Sequence, residues 1–72
     1  MTYEEFITEL WNLVNQCPKE WRKGQAVFNV LDRDFGGVAR DVQFIDGVDC
    51  FYNDELIQEF IDCAWKRLNN EC

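Results

Sequence analysis

Apolar residues recur three and four positions apart in the first part of the chain, which is the spacing of an amphipathic helix. Thr2 and Glu5 stand where a capping box begins such a helix. Pro18 ends it, because a proline excludes its predecessor from the helical region of backbone space. The pattern therefore predicts a first helix over residues 3–17.

A second apolar face at helical spacing predicts a helix over residues 20–33. It consists of Trp21, Gly24, Val27, Phe28 and Leu31. A glycine inside a helix costs about 1 kcal/mol relative to alanine. Because Gly24 lies on the apolar face, we expect another helix or an aromatic ring to approach it closely.

The chain between this helix and the last one allows two interpretations. In the first, paired glycines end the second helix, residues 37–43 form a short helix, and a loop leads to Tyr52. In the second, residues 38–52 form a β-hairpin, since several of their apolar residues are β-branched or aromatic. We favour the short helix and loop.

The last helix is predicted over residues 53–69. Asn53 is a good N-cap, and two acids in the first turn suit the positive end of the helix dipole. An apolar stripe then runs through the segment at helical spacing. The predicted fold is an all-α single domain over residues 1–72, with three main helices and one short helix.

A row of hydrogen-bonding side chains lies opposite the apolar face of the second helix. The residues are Arg22, Gln25, Asn29 and Arg33, and we call them the polar row. Guanidinium and amide groups at this spacing form a strip in which donors exceed acceptors. Such a strip either holds another part of the fold or recognises a polar ligand.

The segment around Asp49 and Tyr52 is the second element of a candidate site. In a structural interpretation, Phe51 fills the core and Asp49 accepts hydrogen bonds from Arg22 and Gln25. In a functional interpretation, Tyr52 and the polar row form two walls of a pocket. A planar base or ribose would stack on the ring and an anionic group would bind Arg22. The predicted ligand-binding residues are Arg22, Gln25, Asn29, Arg33, Asp49 and Tyr52.

The net charge of −7 argues against general binding of DNA or RNA, which requires a basic surface. The charge is unevenly distributed. Residues 19–40 carry five bases and three acids, whereas residues 41–62 carry seven acids and no base. The basic segment contains the polar row, so it either pairs with the acidic segment inside the fold or attracts an anion.

The chain contains few of the residues and motifs that enzymes use in catalysis. The chain has no histidine and no serine, which removes Ser/His and Cys/His catalysis. The four cysteines lack zinc-site spacing, and the segment from Asp32 lacks two carboxylates of a calcium loop. Asp46, Asp49 and Asp54 fit turn and helix caps better than a magnesium site. We therefore expect no enzyme activity, no metal and no cofactor.

Trp11 and Trp65 lie at the edges of their apolar stripes. With Leu56 they predict an exposed apolar patch, which in a small protein often marks a partner surface. The alternative is that each indole covers the rim of a small core. From the patch we expect a homo-oligomer, most simply a dimer.

We expect a cytoplasmic protein with reduced thiols, because no signal segment precedes the first predicted helix and no apolar run spans a membrane. A secreted domain with disulfides is the alternative, since four cysteines allow three pairings.

Two motifs give the chain a resemblance to a known family. Arg22-x-Gly24-Gln25-Ala26-x-Phe28-Asn29 and the later Asp49-x-Phe51-Tyr52-Asn53-Asp54 resemble a pattern R-x-G-Q-A-x-F-N … D-P-F-Y-D-D. It occurs in small uncharacterised proteins of bacteriophages, prophages and bacteria. The chain departs from it at Cys50 and Asn53, where proline and aspartate are usual. The resemblance implies no activity, but it suggests a phage-encoded accessory protein in a bacterial host cytoplasm.

These observations favour a non-enzymatic binding protein. A counter-defence role would have it sequester a nucleotide-like signal or block a host protein. The alternative is a protein–protein adaptor in which the polar row is structural and the Trp11/Trp65 edge is the working surface. Neither hypothesis involves nucleic acid or a membrane.

Overall fold

A computed structural model describes residues 2–69. Residues 1 and 70–72 lie outside this range, and they include Cys72 and both ends of the predicted domain. The helices in chain order are α1 (Tyr3–Asn15), α2 (Lys23–Asp34), α3 (Val38–Asp41) and α4 (Ile57–Leu68). A π-helical turn (Val42–Asp46) continues α3, and a 3₁₀ turn (Asp54–Leu56) leads into α4. No strand occurs between residues 2 and 69, so the all-α prediction is confirmed and the hairpin is not formed.

The core forms around α2, which packs against α1, α3 and α4. Phe6 of α1 is fully buried, and its ring lies 5.3 Å from that of Phe35 and 5.2 Å from that of Trp65. Each helix contributes side chains on one face, as expected for amphipathic helices. The other buried apolar residues are Leu10, Val14, Ala26, Val27, Val30, Leu31, Val38, Ala39, Val42, Cys50, Phe60, Ile61 and Ala64.

The start of α1 agrees with its prediction. The amide N–H of Glu5 donates to the Thr2 hydroxyl at 3.2 Å, and the Thr2 N–H donates to the Glu5 carboxylate at 2.8 Å. The helix ends at Asn15, two residues before the predicted end. The next two amides bond carbonyls three residues back, at 3.1 and 3.0 Å. This tighter turn ends the helix before Pro18.

The predicted start of the second helix at residue 20 is wrong. The Trp21 amide donates to the Pro18 carbonyl at 3.1 Å in a separate turn, and Arg22 has the extended backbone of an N-cap (φ −67°, ψ 156°). Arg22 supplies no side-chain cap. The cap comes from Asp54, whose Oδ1 accepts from the Gly24 amide at 3.1 Å. The helix continues to Asp34, one residue beyond its predicted end.

Gly24 is closely approached, but not by a helix or a ring as predicted. A Cβ atom at this position would collide with the backbone carbonyl oxygen of Cys50 and lie 2.9 Å from the Asp54 carboxylate. The Cys50 thiol in turn donates to the Gly24 carbonyl, with Sγ and O 3.3 Å apart. The loop backbone therefore takes the place of a side chain on α2.

The short helix predicted over residues 37–43 occurs as α3 followed by the π-helical turn. The loop consequently begins at Gly47 rather than at residue 44. Gly47 has a left-handed backbone (φ 73°), which glycine adopts without steric cost. The amides of Gly47 and Val48 both bond the carbonyl of Val42, which widens the last turn beyond α-helical spacing.

Asn53 is the predicted cap of the last helical segment. Its side-chain oxygen accepts from the Glu55 amide at 3.0 Å. The first turn is 3₁₀, and regular α-helix begins only at Ile57, so the predicted helix over 53–69 is two elements. Asn69 ends α4, since its side-chain amide donates to the Trp65 carbonyl at 2.8 Å.

Gly24→Ala tests the contact between α2 and the loop. Alanine favours a helix by about 1 kcal/mol over glycine. Overpacking of a tight contact costs about 1–3 kcal/mol, and here the obstacle is backbone that cannot rotate away. We expect a net loss of about 1–2 kcal/mol in the free energy of unfolding, measured by urea denaturation. Lys23→Ala, an exposed neighbour, is the control, and a more stable Gly24→Ala variant would contradict the packing.

Candidate functional site

The structure joins the start of α2 to the loop that precedes α4. Nη1 of Arg22 donates to the Tyr52 carbonyl at 3.4 Å, beside the contacts of Gly24 with Cys50 and Asp54. We call these five residues the α2 junction. One end of the polar row therefore faces the segment that contains Tyr52, as the pocket hypothesis requires.

Phe51 does not fill the core as its structural interpretation predicted. It is half-buried and packs edge-on against Phe28, with ring centroids 5.6 Å apart. The Tyr52 ring lies 4.7 Å from the Phe51 ring and is 77% exposed. The loop residue that enters the core is Cys50, which has no exposed surface. Its burial follows from Gly24, because only glycine admits the loop backbone at that point.

Two residues of the predicted ligand site form hydrogen bonds with other residues of the protein. Asp49 accepts from Nε2 of Gln43 at 2.9 Å and from the Phe51 amide at 2.8 Å, so the predicted bonds from Arg22 and Gln25 are wrong. Arg33 donates through Nε and Nη2 to its neighbour Asp34 at 3.2 and 3.1 Å. Asp49 therefore stabilises the loop, and Arg33 forms a local ion pair.

Gln25 and Asn29 keep unused hydrogen-bonding capacity. Both are half-buried, and their side chains form no hydrogen bond with the rest of residues 2–69. They lie one helical turn apart on α2, so their amides share a face. Of the predicted ligand residues, Arg22, Gln25, Asn29 and the ring of Tyr52 remain able to bind a small molecule.

The aspartates named as a magnesium alternative have separate partners. Asp46 forms a bidentate pair with Arg67, with distances of 2.8 and 2.7 Å, and Asp54 caps α2. The hydrogen bonds from Arg67 lower the pKa of Asp46 below its usual value. Within residues 2–69, no three acidic or cysteine side chains are grouped to hold a metal ion.

The predicted interface residues Trp11 and Trp65 line different clefts. Trp65 packs edge-on against Tyr3 at 5.6 Å and lines a cleft with Glu9 and Leu68. Trp11 lines another cleft, which shares no residue with the first. Leu56 is half-buried in the 3₁₀ turn and packs against the core.

Sequence reasoning missed two strongly exposed apolar side chains on the π-helical turn. Phe44 is 79% exposed and Ile45 is 69% exposed, and we call the pair the Phe44–Ile45 knob. The sequence predicts a loop at both residues, and in a loop the direction of a side chain is not predictable. The sequence does contain a signal for exposed apolar side chains, because two large apolar residues stand directly before the turn at Asp46-Gly47.

The Cys50 thiol is chemically protected. Burial raises its pKa to about 12, and the neighbouring carboxylates of Asp49 and then Asp54 disfavour the thiolate further. A buried protonated thiol is a poor nucleophile. Cys50 therefore acts as a small apolar residue with a weak donor.

The raised pKa of Cys50 predicts how stability depends on pH. The folded state holds the thiol proton more tightly than the unfolded state, in which the pKa is near 9.0. This contribution is fully present below about pH 9 and is lost as pH rises towards the folded value. At about pH 10 we expect a loss on the order of 1 kcal/mol.

Urea denaturation of the wild type and Cys50→Ala from about pH 7 to about pH 10 measures the effect. Other titrating groups cancel in the difference between the two proteins. The wild type should lose more stability than the variant. Parallel curves would show that the thiol does not carry this dependence.

No family model, no curated protein and no solved structure matches the chain. The resemblance to the phage family stays an expectation. Among residues 2–69, no helix has the length and apolar character needed to cross a bilayer. The geometry of the described residues is therefore the basis for assigning a function.

Proposed function

We propose that the chain is a non-enzymatic binding protein that blocks a protein partner through the Phe44–Ile45 knob. The observation that carries the proposal is the exposure of two adjacent large apolar side chains, 79% and 69%, on an anchored turn. Single exposed apolar residues are common, but adjacent exposed Phe and Ile mark interaction surfaces.

Three residues of the π-helical turn hold the knob in place. Val42, at the start of the turn, is fully buried. Gln43 is bonded to Asp49 at 2.9 Å, and Asp46 is paired with Arg67 of α4. A surface that is already ordered loses little conformational entropy on binding. The turn therefore presents its apolar side chains at low cost.

The binding energy available from the knob is substantial. Full burial of a phenylalanine or isoleucine side chain contributes about 1.5–3 kcal/mol. The pair can thus serve as the central anchor of an interface, since a few well-buried side chains supply most of the energy of binding.

The charge of the surrounding segment selects the kind of partner. Residues 41–62 contain seven acids and no base, and the whole chain has a charge of −7. A partner with an apolar pocket and a basic rim is complementary to this surface. A second copy of the chain would bring like charges together, so we do not assign the knob to the predicted homodimer.

The resemblance to a phage family gives this proposal a context. A phage-encoded accessory or counter-defence protein acts on host machinery, and blocking a host protein needs no catalytic group. The lack of histidine and serine is compatible with that role.

The double variant Phe44→Ala/Ile45→Ala tests the proposal. A photo-crosslinking phenylalanine analogue at position 44 first identifies the protein that contacts the knob in the host. Calorimetry with that purified partner should then show binding at least about 100-fold weaker for the double variant. Thermal stability should change little, because both side chains are exposed.

Tyr52→Ala is the matched control, because it removes an equally exposed aromatic ring from the loop before α4 and leaves the π-helical turn intact. It should bind the partner as tightly as the wild type does. Wild-type affinity of the double variant, or binding that does not weaken with salt, would overturn the proposal. Sedimentation that shows self-association through Phe44 would assign the knob to a dimer instead.

Capture of a nucleotide-like molecule is the second candidate function. The observation that favours it is the unused pair of amides on Gln25 and Asn29. Side-chain amides recognise adenine through paired hydrogen bonds. The exposed ring of Tyr52 offers a stacking surface near Arg22, which would bind an anionic group.

A thermal-shift panel of mononucleotides and cyclic dinucleotides tests this second candidate. Any ligand that binds only the native state raises the melting temperature. The shift should disappear in Gln25→Ala and Asn29→Ala and persist in Phe44→Ala/Ile45→Ala. If no nucleotide at about millimolar concentration raises the melting temperature, the amides are solvated surface groups.

A further inference from the structure

A cleft lies between the end of α1 and the start of α2. Its volume is about 350 Å³, which falls within the usual range for small-molecule sites. Two tryptophans and two lysines define its chemistry, and these are Trp11, Trp21, Lys19 and Lys23. None of these residues belongs to the knob or to the half-buried amide pair.

The two indoles are apolar walls that remain partly open. Both are half-buried and pack against the core. Trp21 is held by the turn in which its amide bonds the Pro18 carbonyl at 3.1 Å. Trp11 is fixed on α1, so the walls come from two independently anchored segments. Two indoles that line one cleft favour a flat, aromatic ligand.

The charge of the cleft is opposite to that of the protein. No acidic residue is among its lining residues, although the chain contains fourteen acids. The ammonium groups of Lys19 and Lys23 are exposed at its edge. Lys23 is also the first residue of α2, so the two lysines come from the turn at Pro18 and from the helix that follows it.

Two other clefts formed by the described residues have the opposite charge. One lies along α1 and is lined by Glu4, Glu5 and Glu9, with Thr8 and Asn12. The other contains Glu9 and Asp34 beside Trp65. Both would repel an anion, whereas the cleft at Trp11 and Trp21 would attract one.

We propose that the cleft between Trp11 and Trp21 binds a planar aromatic anion, a ring system that carries one carboxylate, sulfonate or phosphate group. The ring lies against the indoles, and the anionic group pairs with Lys19 and Lys23. This site is separate from the Phe44–Ile45 knob.

Calorimetry with 2-naphthoate, and with the uncharged 2-naphthalenemethanol as matched probe, tests the proposal. The anion should bind saturably and at least about tenfold more tightly than the alcohol, because only the anion pairs with the lysines. In NMR spectra the indole N–H signals of Trp11 and Trp21 should move, and that of Trp65 should not.

Charge variants complete the experiment. Lys19→Ala/Lys23→Ala should weaken 2-naphthoate binding about tenfold or more, because both ammonium groups are lost. Lys66→Ala, an exposed lysine on α4, should leave it unchanged, and so should Phe44→Ala/Ile45→Ala. Equal affinities for the two probes, wild-type affinity of the double lysine variant, or no saturable binding would each overturn the proposal.

Discussion

The contact between the backbone of Gly24 and the loop at Cys50 and Asp54 fixes the arrangement of the whole domain. The first turn of α2 contains no acidic residue, and its N-cap supplies no side-chain hydrogen bond. A carboxylate from thirty residues later in the chain supplies it instead, in a position that the helix dipole also favours. Because α2 packs against α1, α3 and α4, the residue at which α2 begins determines which of its side chains those helices contact.

The same contact explains why the candidate surfaces are separate. The loop is pinned to α2 at Cys50, and α4 follows directly after its 3₁₀ turn. The ion pair of Asp46 with Arg67 holds the π-helical turn against the last turn of α4. Tyr52 precedes the first turn of α4 in the chain, whereas the Phe44–Ile45 knob belongs to the π-helical turn that the Asp46–Arg67 pair ties to the end of α4. Each surface is ordered by its own anchor.

Local signals in the sequence predicted the elements that depend on neighbouring residues. The capping box at Thr2 and the cap at Asn53 both form as expected, because each needs partners only two or three residues away. The start of α2 was not predictable, since its cap is Asp54. The partner of Asp49 depends on the path of the loop, and for that reason the two bonds predicted from the polar row to Asp49 are absent. That Trp11 and Trp21 line one cleft depends likewise on how the turn at Pro18 sets α2 beside α1.

Segregation of charge would divide the two proposed binding surfaces by the ligands that they accept. The knob belongs to the segment with seven acids and no base, whereas the Trp11–Trp21 cleft belongs to the basic part of the chain around Lys19 and Lys23. A basic protein partner is attracted to the first and repelled by the second, and an aromatic anion behaves in the opposite way. A domain of 72 residues can therefore hold two binding surfaces without competition between their ligands, because electrostatic potential directs each ligand to one of them.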